Sequence, residues 1–349
     1  MDKIIPQIYN IWRYANYYDH PPSEENRFTL EEGWTGEIEI KELSRKLGIK
    51  NLIFKREDLN PNGSHKDRAL AFQISKYKEL GEKRLLISTS GNAGISCASY
   101  GRLARIPVYI FASPKTRRVK IEQIKTFGGN LIITNHAINF AKQISRELDI
   151  PNLRPSMDDY SVEGFKSLGF ELFETVGDID SVFVFVSSGS SYVGIAQAFH
   201  YLKEKINVVD KIPRMHVVQT GTVNSIVSRR KPVRSTTKAR SLTGDLGVKK
   251  TRRMREILNW LSATGGKSWF VSDEETLTAI RLLNSYGIDT SVEGAANFAG
   301  VIQAAESENL GNVVCLLTGH ASQWRDREDI EPAEEVIDDY EAVKEIFGR

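Results

Sequence analysis

From residue 51 onward, short apolar runs alternate with stretches of helical periodicity. The runs at 51–55, 84–88, 107–111, 130–134, 182–187, 215–219, 269–271 and 312–318 have strand length, and most are rich in Val, Ile or Leu. Their apolarity is largely continuous rather than alternating, which says that both faces are covered, as helices cover a parallel sheet. The predicted fold class is therefore α/β. Helix signals fit between the runs. Ser64 followed by Asp67 has the form of a capping box, Leu70, Ile74, Tyr77 and Leu80 mark one face, and Gly81 is the expected stop. A second box, Ser272 with Glu275, opens a helix marked by Leu277, Ile280 and Leu283 and stopped at Gly287. The first 45 residues read differently: Trp12, Tyr14, Tyr17 and Tyr18 crowd together before His20-Pro21-Pro22, which predicts an irregular arm packed on the body. There is no internal repeat.

Length and composition narrow this picture. At 349 residues, 40% hydrophobic and 26% charged, the chain is an ordinary globular one with room for two domains or one large domain with an insertion. No apolar run reaches the roughly 18 residues of a membrane-spanning helix. The start, MDKIIPQIYNIWRY, lacks the basic-then-apolar order of a secretory signal, and Cys97 and Cys315 are too few for a disulfide framework, so the expected compartment is the cytoplasm. The net charge of +2 hides an asymmetry: residues 229–255 hold 11 basic residues and one acid, a local +10 against −8 for the rest. Such a run suits a solvated or lid-like loop. Nucleic-acid or polyanion binding is the weaker alternative, because no base-stacking aromatic and no nucleic-acid motif accompanies it.

Candidate chemistry lies in four loops that follow apolar runs, where open parallel sheets bind ligands. The first, Asn60-Pro61-Asn62-Gly63-Ser64-His65-Lys66-Asp67-Arg68, puts Lys66 in the first turn of a helix. The partial positive charge there favours the neutral amine, hence a nucleophile able to form an imine, although a solvated surface lysine would occupy the same position. The second, Ser88-Thr89-Ser90-Gly91-Asn92-Ala93-Gly94, offers hydroxyls, N–H groups and an amide to a carboxylate or phosphate. The third, Ser187-Ser188-Gly189-Ser190-Ser191-Tyr192-Val193-Gly194, is a second anion cradle without the lysine of a P-loop. The fourth, Thr318-Gly319-His320, ends an apolar run with a hydroxyl that could bond a ring nitrogen. Together they are the parts needed to hold pyridoxal phosphate.

These motifs, in this order, resemble the tryptophan-synthase-β superfamily of pyridoxal-phosphate enzymes, fold type II, and within it the threonine synthases. Ile11-Trp12-Arg13-Tyr14 is similar to the opening of many threonine synthases, and residues 54–68 resemble the superfamily's imine-lysine motif. The resemblance implies that Lys66 forms the imine with pyridoxal 5′-phosphate, that Asn92 bonds the cofactor's phenolic oxygen, and that Ser88, Thr89, Ser90, Gly91 and Asn92 receive the substrate carboxylate. It also implies that Ser188, Gly189, Ser190, Ser191 and Gly194 hold the cofactor phosphate and that Thr318 meets the pyridine nitrogen. It implies two open, mainly parallel α/β domains, a smaller one at 85–165 inserted in a larger one at 1–84 and 166–349, and a homodimer. Three departures stand out: Gly36-Glu37 where the superfamily has Pro-Leu, His65 where phenylalanine is commoner, and Ser161 for an arginine, beside Asp158 and Asp159. The last is expected to weaken recognition of a phosphorylated substrate. The implied reaction is conversion of O-phosphohomoserine and water to threonine and phosphate; elimination or replacement on serine or threonine is the alternative, and a relative that has lost its reaction a third.

Overall fold

In the computed structural model, residues 4–89, 91–221, 226, 253–322 and 335–348 are described. Nine strands form two sheets. The larger has the order β1 (Glu37–Glu39), β2 (Asn51–Lys55), β9 (Asn312–Leu316), β6 (Ser181–Phe185), β7 (Arg214–Thr220), β8 (Ser268–Val271). All its neighbours are parallel except β1 with β2. The smaller is a parallel trio of β3 (Leu85–Ser88), β4 (Val108–Ala112) and β5 (Asn130–Ile133). Every apolar run singled out above becomes a strand, trimmed or extended by one or two residues. β1 escapes such a reading because Glu-Ile-Glu has no apolar run.

The helices are α1 (Lys41–Lys46), α2 (Lys66–Glu79), α3 (Asn92–Ala104), α4 (Arg118–Thr126), α5 (Ala137–Glu147), α6 (Tyr160–Thr175), α7 (Ser190–Tyr201), α8 (Met254–Ala263), α9 (Asp273–Ser285), α10 (Val292–Ala305) and α11 (Tyr340–Glu345). The Ser272–Glu275 capping box is present with both bonds. The Ser64–Asp67 box is not: α2 starts at Lys66 after His65, and the Asp67 carboxylate instead accepts from the Asn62 N–H and amide at 2.7 and 2.8 Å, closing the loop before the helix. Gly81 and Gly287 end their helices with φ of 83° and 73°, which glycine adopts without strain.

The N-terminal arm packs as expected. Residues Ile11–Tyr17 form a 3-10 helix, Trp12 stacks on Phe72 at 5.8 Å, and Arg13 and Tyr14 both reach Glu174. At the other end, Val343 and Phe347 close the core of the small sheet over Leu86, Phe111 and Ile132. Among the described residues no helix is long and apolar enough to cross a membrane, and both cysteines are buried and unpaired. Residues 229–252 of the basic segment lie outside the described residues. The solvated or lid-like loop expected of the segment does not extend to Arg253, which is buried and donates to Ser190 Oγ and the Asp158 carbonyl.

Candidate active site

Strands β2 and β9 are parallel neighbours, so the chain leaves both at the same edge and the two exits bond to each other. Leu317 N–H donates to the Lys55 carbonyl and His320 N–H to the Gly63 carbonyl, both at 2.9 Å. The Thr318 carbonyl accepts from the His65 N–H at 3.1 Å and faces His65 Nδ1 at 2.9 Å. A carbonyl only accepts, so Nδ1 carries the ring proton and Nε2 is left as an acceptor. Lys66 Nζ lies 3.0 Å from that Nε2. Burial, with Lys66 beside it, holds the His65 pKa well below its ordinary value, so the ring is neutral. Burial pushes the Lys66 amine down to about 8, against an upward pull from Glu293. An amine of that pKa is available as a nucleophile and proton carrier near neutrality.

Lys66 opens into a cavity of about 580 Å³ between the carboxyl ends of both sheets. His65, Lys66, Phe185, Ser188, Gly189, Ser191 and Thr318 enter it from the larger sheet's loops; Ser88, Thr89, Gly91, Asn92 and the loops after β4 and β5 enter from the smaller. Ser88 Oγ and Asn92 Oδ1 are buried without a hydrogen-bond partner. Buried polar atoms left open in this way cost stability unless a ligand meets them. Gly189 has φ of 84°, and a Cβ there would stand 2.4 Å from Ile257 Cδ1, so only glycine lets the loop turn into α7 under α8. The N–H groups at the α7 start suit an anion.

Not every expected residue reaches the cavity. Ser190 turns away, its hydroxyl donating to the Pro155 carbonyl at 2.6 Å. Gly194 serves packing: a Cβ there would meet Phe165 Cβ at 2.6 Å, because α6 and α7 touch at that point. Ser90 lies outside the described residues. Ser161 is fully buried, its hydroxyl donating to the carbonyls of Pro155 and Asp158 at 2.9 and 2.7 Å. Asp158 turns to Gln73 and the Tyr160 N–H. Neither lines the cavity, so the expected loss of positive charge at position 161 does not act on its interior.

Of the charges that do line it, sequence reasoning reached Lys115 and Arg117, as alternative holders of a substrate phosphate together with Arg118, and missed Lys120, Arg154 and Glu293. Lys115, Arg117, Lys120 and Arg154 face it together with Glu293. Lys120 is buried, which pushes its amine down to about 8, against the pull of Glu293. A Cβ on Gly91 would be 3.4 Å from its Nζ, so this amine stands beside the loop of Thr89 to Asn92. Glu293, in the first turn of α10, thus attracts the protonated form of both amines. These side chains come from the loop after β4, α4, the turn before α6 and α10, and no local motif marks them.

Behind the cavity, α2 is fixed by buried charge. Arg68 donates to Glu57 Oε2 at 2.7 Å and to Glu171 Oε2 at 2.8 Å, and Lys55 pairs with Glu171 and Glu37. Two residues from Lys66, this anchor holds the first turn in place.

The groups present fit pyridoxal phosphate: an amine with lowered pKa, N–H groups at a helix start, an unsatisfied hydroxyl and amide oxygen, and the Thr318 hydroxyl. Comparison with known proteins agrees. The family model described as pyridoxal-phosphate dependent enzyme matches residues 28–319. The threonine synthase of Methanosarcina acetivorans is 27% identical over 334 residues, covering 92% of this chain and 82% of that protein. The threonine synthase of Bacillus sp. (strain ULM1) is 28% identical over 326 residues, 88% of each chain. Threonine deaminase isoform 2 of Solanum lycopersicum superposes with a TM-score of 0.66 at 20% identity, over 82% of this chain and 79% of that one, a likeness of fold. The chain belongs to the pyridoxal-phosphate dependent enzyme family, as a fold type II lyase whose cofactor is pyridoxal 5′-phosphate.

Proposed function

We propose that the enzyme converts O-phosphohomoserine and water to threonine and phosphate. The observation that carries this reading is the charge of the cavity: among the described residues it holds, beside Lys66, Lys115, Arg117, Lys120 and Arg154 against one carboxylate, Glu293. A substrate such as serine brings only its carboxylate to that excess, beside the cofactor's own phosphate, whereas a phosphorylated amino acid brings anions at both ends. The similarity to threonine synthases supports the same reaction.

When bound, pyridoxal phosphate supplies an electron sink for negative charge developing beside the substrate amine. The Ser188, Gly189 and Ser191 loop would hold its phosphate, Asn92 its phenolic oxygen, and the Thr318 hydroxyl, which is neutral, its ring nitrogen. A neutral partner there favours elimination over transamination. Thr89, Gly91 and Asn92 orient the substrate carboxylate, with Lys120 alongside. Lys66, beside the substrate amine, would take and return protons, and a pKa near 8 suits both directions. His65 accepts from Lys66 Nζ and steers it. Residues 85–165 act as the smaller domain of this machine, and the chain works as a cytoplasmic homodimer, which sedimentation tests.

Purified enzyme supplied with O-phosphohomoserine is expected to release phosphate and threonine in equal amounts. Keto-acid release from serine or threonine, with no turnover of O-phosphohomoserine, identifies a dehydratase instead and overturns the proposal.

A further inference from the structure

The turn between residues 152 and 159 is held unusually firmly for a loop. Leu153 N–H donates to the β3 residue Leu86, Arg154 N–H to Asn152 Oδ1 at 3.1 Å, and the Arg154 carbonyl accepts from Met157 and Asp158 at 2.8 and 3.2 Å. From outside, Arg253, only 2% exposed, donates to the carbonyls of Pro155 and Asp158 at 3.3 and 2.8 Å. Ser161 and Ser190 donate to the same Pro155 carbonyl. The backbone groups of the turn named above are thus taken up within the protein.

The Arg154 guanidinium is the exception. It lines the cavity, and among the described residues no carboxylate pairs with it. Burial lowers its pKa with no opposing charge. Other cavity cations are differently placed: Lys120 stands at the Gly91 end, Arg117 precedes α4 and makes contacts of its own within the protein, Lys115 is exposed, and Lys66 lies against His65. A fixed, unpaired, planar donor in a cavity is suited to bidentate recognition of an oxyanion.

We propose that Arg154 selects the substrate, its guanidinium receiving the terminal phosphate of the amino acid, the role expected above for position 161. Arg253 is the positioning residue that holds the Arg154 turn from behind. The inference rests on the phosphorylated-substrate reading, and its test has an arm that does not need turnover.

The holoenzyme is compared with its Arg154→Gln and Arg154→Lys variants. Arg154→Gln is expected to raise KM for O-phosphohomoserine about tenfold or more with kcat little changed, the loss of one charge-assisted bond. Arg154→Lys recovers part of it, and serine binding, read from cofactor absorbance, is unaltered. Calorimetric titration with inorganic phosphate, the cofactor site being filled, weakens by the same factor. Equal losses for O-phosphohomoserine and serine, unchanged phosphate binding, or loss of cofactor affinity each overturn the inference; the last puts Arg154 on the cofactor phosphate. Should the wild type ignore O-phosphohomoserine, the proposed reaction falls while the phosphate titration still decides the role of Arg154. Arg253→Met should reproduce the KM defect if its hold on the turn matters, and a defect in stability alone would remove it from the proposal.

Discussion

At the scale of the residue, Lys66 combines two roles that conflict. Its amine must be neutral to attack a carbonyl, and its position, buried in the first turn of α2, makes the ammonium costly. The linkage has a definite sign. The folded pKa of about 8 lies below the ordinary 10.5, so between those values the unfolded chain binds more protons and stability of the apoenzyme rises with pH. Below about pH 8 the ammonium costs the fold on the order of 2–3 kcal/mol, so Lys66→Met apoenzyme should be more stable at pH 7 and flatter between pH 8 and 10.5. Urea titrations across that range check it. Lys66→Ala should also abolish borohydride fixation of pyridoxal phosphate while cofactor still binds weakly through the Ser188 loop, so activity falls further than binding. Borohydride labelling of a peptide without Lys66 would overturn the assignment.

At the scale of the element, glycines that read alike do different work. Gly194 sits in a small-residue loop-and-helix motif, yet α6 and α7 pack so closely there that a Cβ would stand 2.9 Å from the Val162 carbonyl oxygen. Gly194→Ala should therefore cost about 1–3 kcal/mol of stability, read as a lowered Tm, with little specific change in cofactor affinity. A selective loss of affinity would return Gly194 to the phosphate cradle. The parallel strands were legible because burial on both faces demands continuous apolarity, as in Val182 to Val186. β1 was not, since a three-residue antiparallel edge needs only one inward residue, Ile38. The Ser64–Asp67 pattern misled because Asp67 bonds Asn62 instead of the helix start. Capping is a competition between nearby donors, and spacing alone does not decide it.

At the scale of the molecule, the cavity exists because loops from both sheets converge, and legibility follows from that. Lys66, Asn92, Ser188 and Thr318 each lie in a connection that follows a strand or open the helix after it, and could be found locally; Lys120, Arg154 and Glu293 are joined only by tertiary packing. What holds the converging parts is the buried network around Glu171. Its carboxylate accepts from the N–H groups of Trp34 and Thr35 at 2.8 and 3.0 Å and from Arg68, and pairs with Lys55, tying the N-terminal arm, β2, α2 and α6. Burial alone would raise its pKa, but Arg68 and Lys55 hold it below the ordinary value, and Glu57 is held down the same way. Carboxylates depressed in the fold add stability above their unfolded pKa, about 4.3, and lose it as pH falls through the folded values. Glu171→Gln leaves Lys55 and Arg68 short of a counter-charge in a dry interior, and should cost about 3–5 kcal/mol at pH 7. It should also flatten the acid branch of the stability curve, since one of the protons taken up on acid unfolding is gone. Urea midpoints of wild type and variant from pH 7 to pH 3 test both. A variant within about 1 kcal/mol of wild type at pH 7, the range of an exposed ion pair, would mean that apolar packing rather than this network carries Lys66 to the cavity.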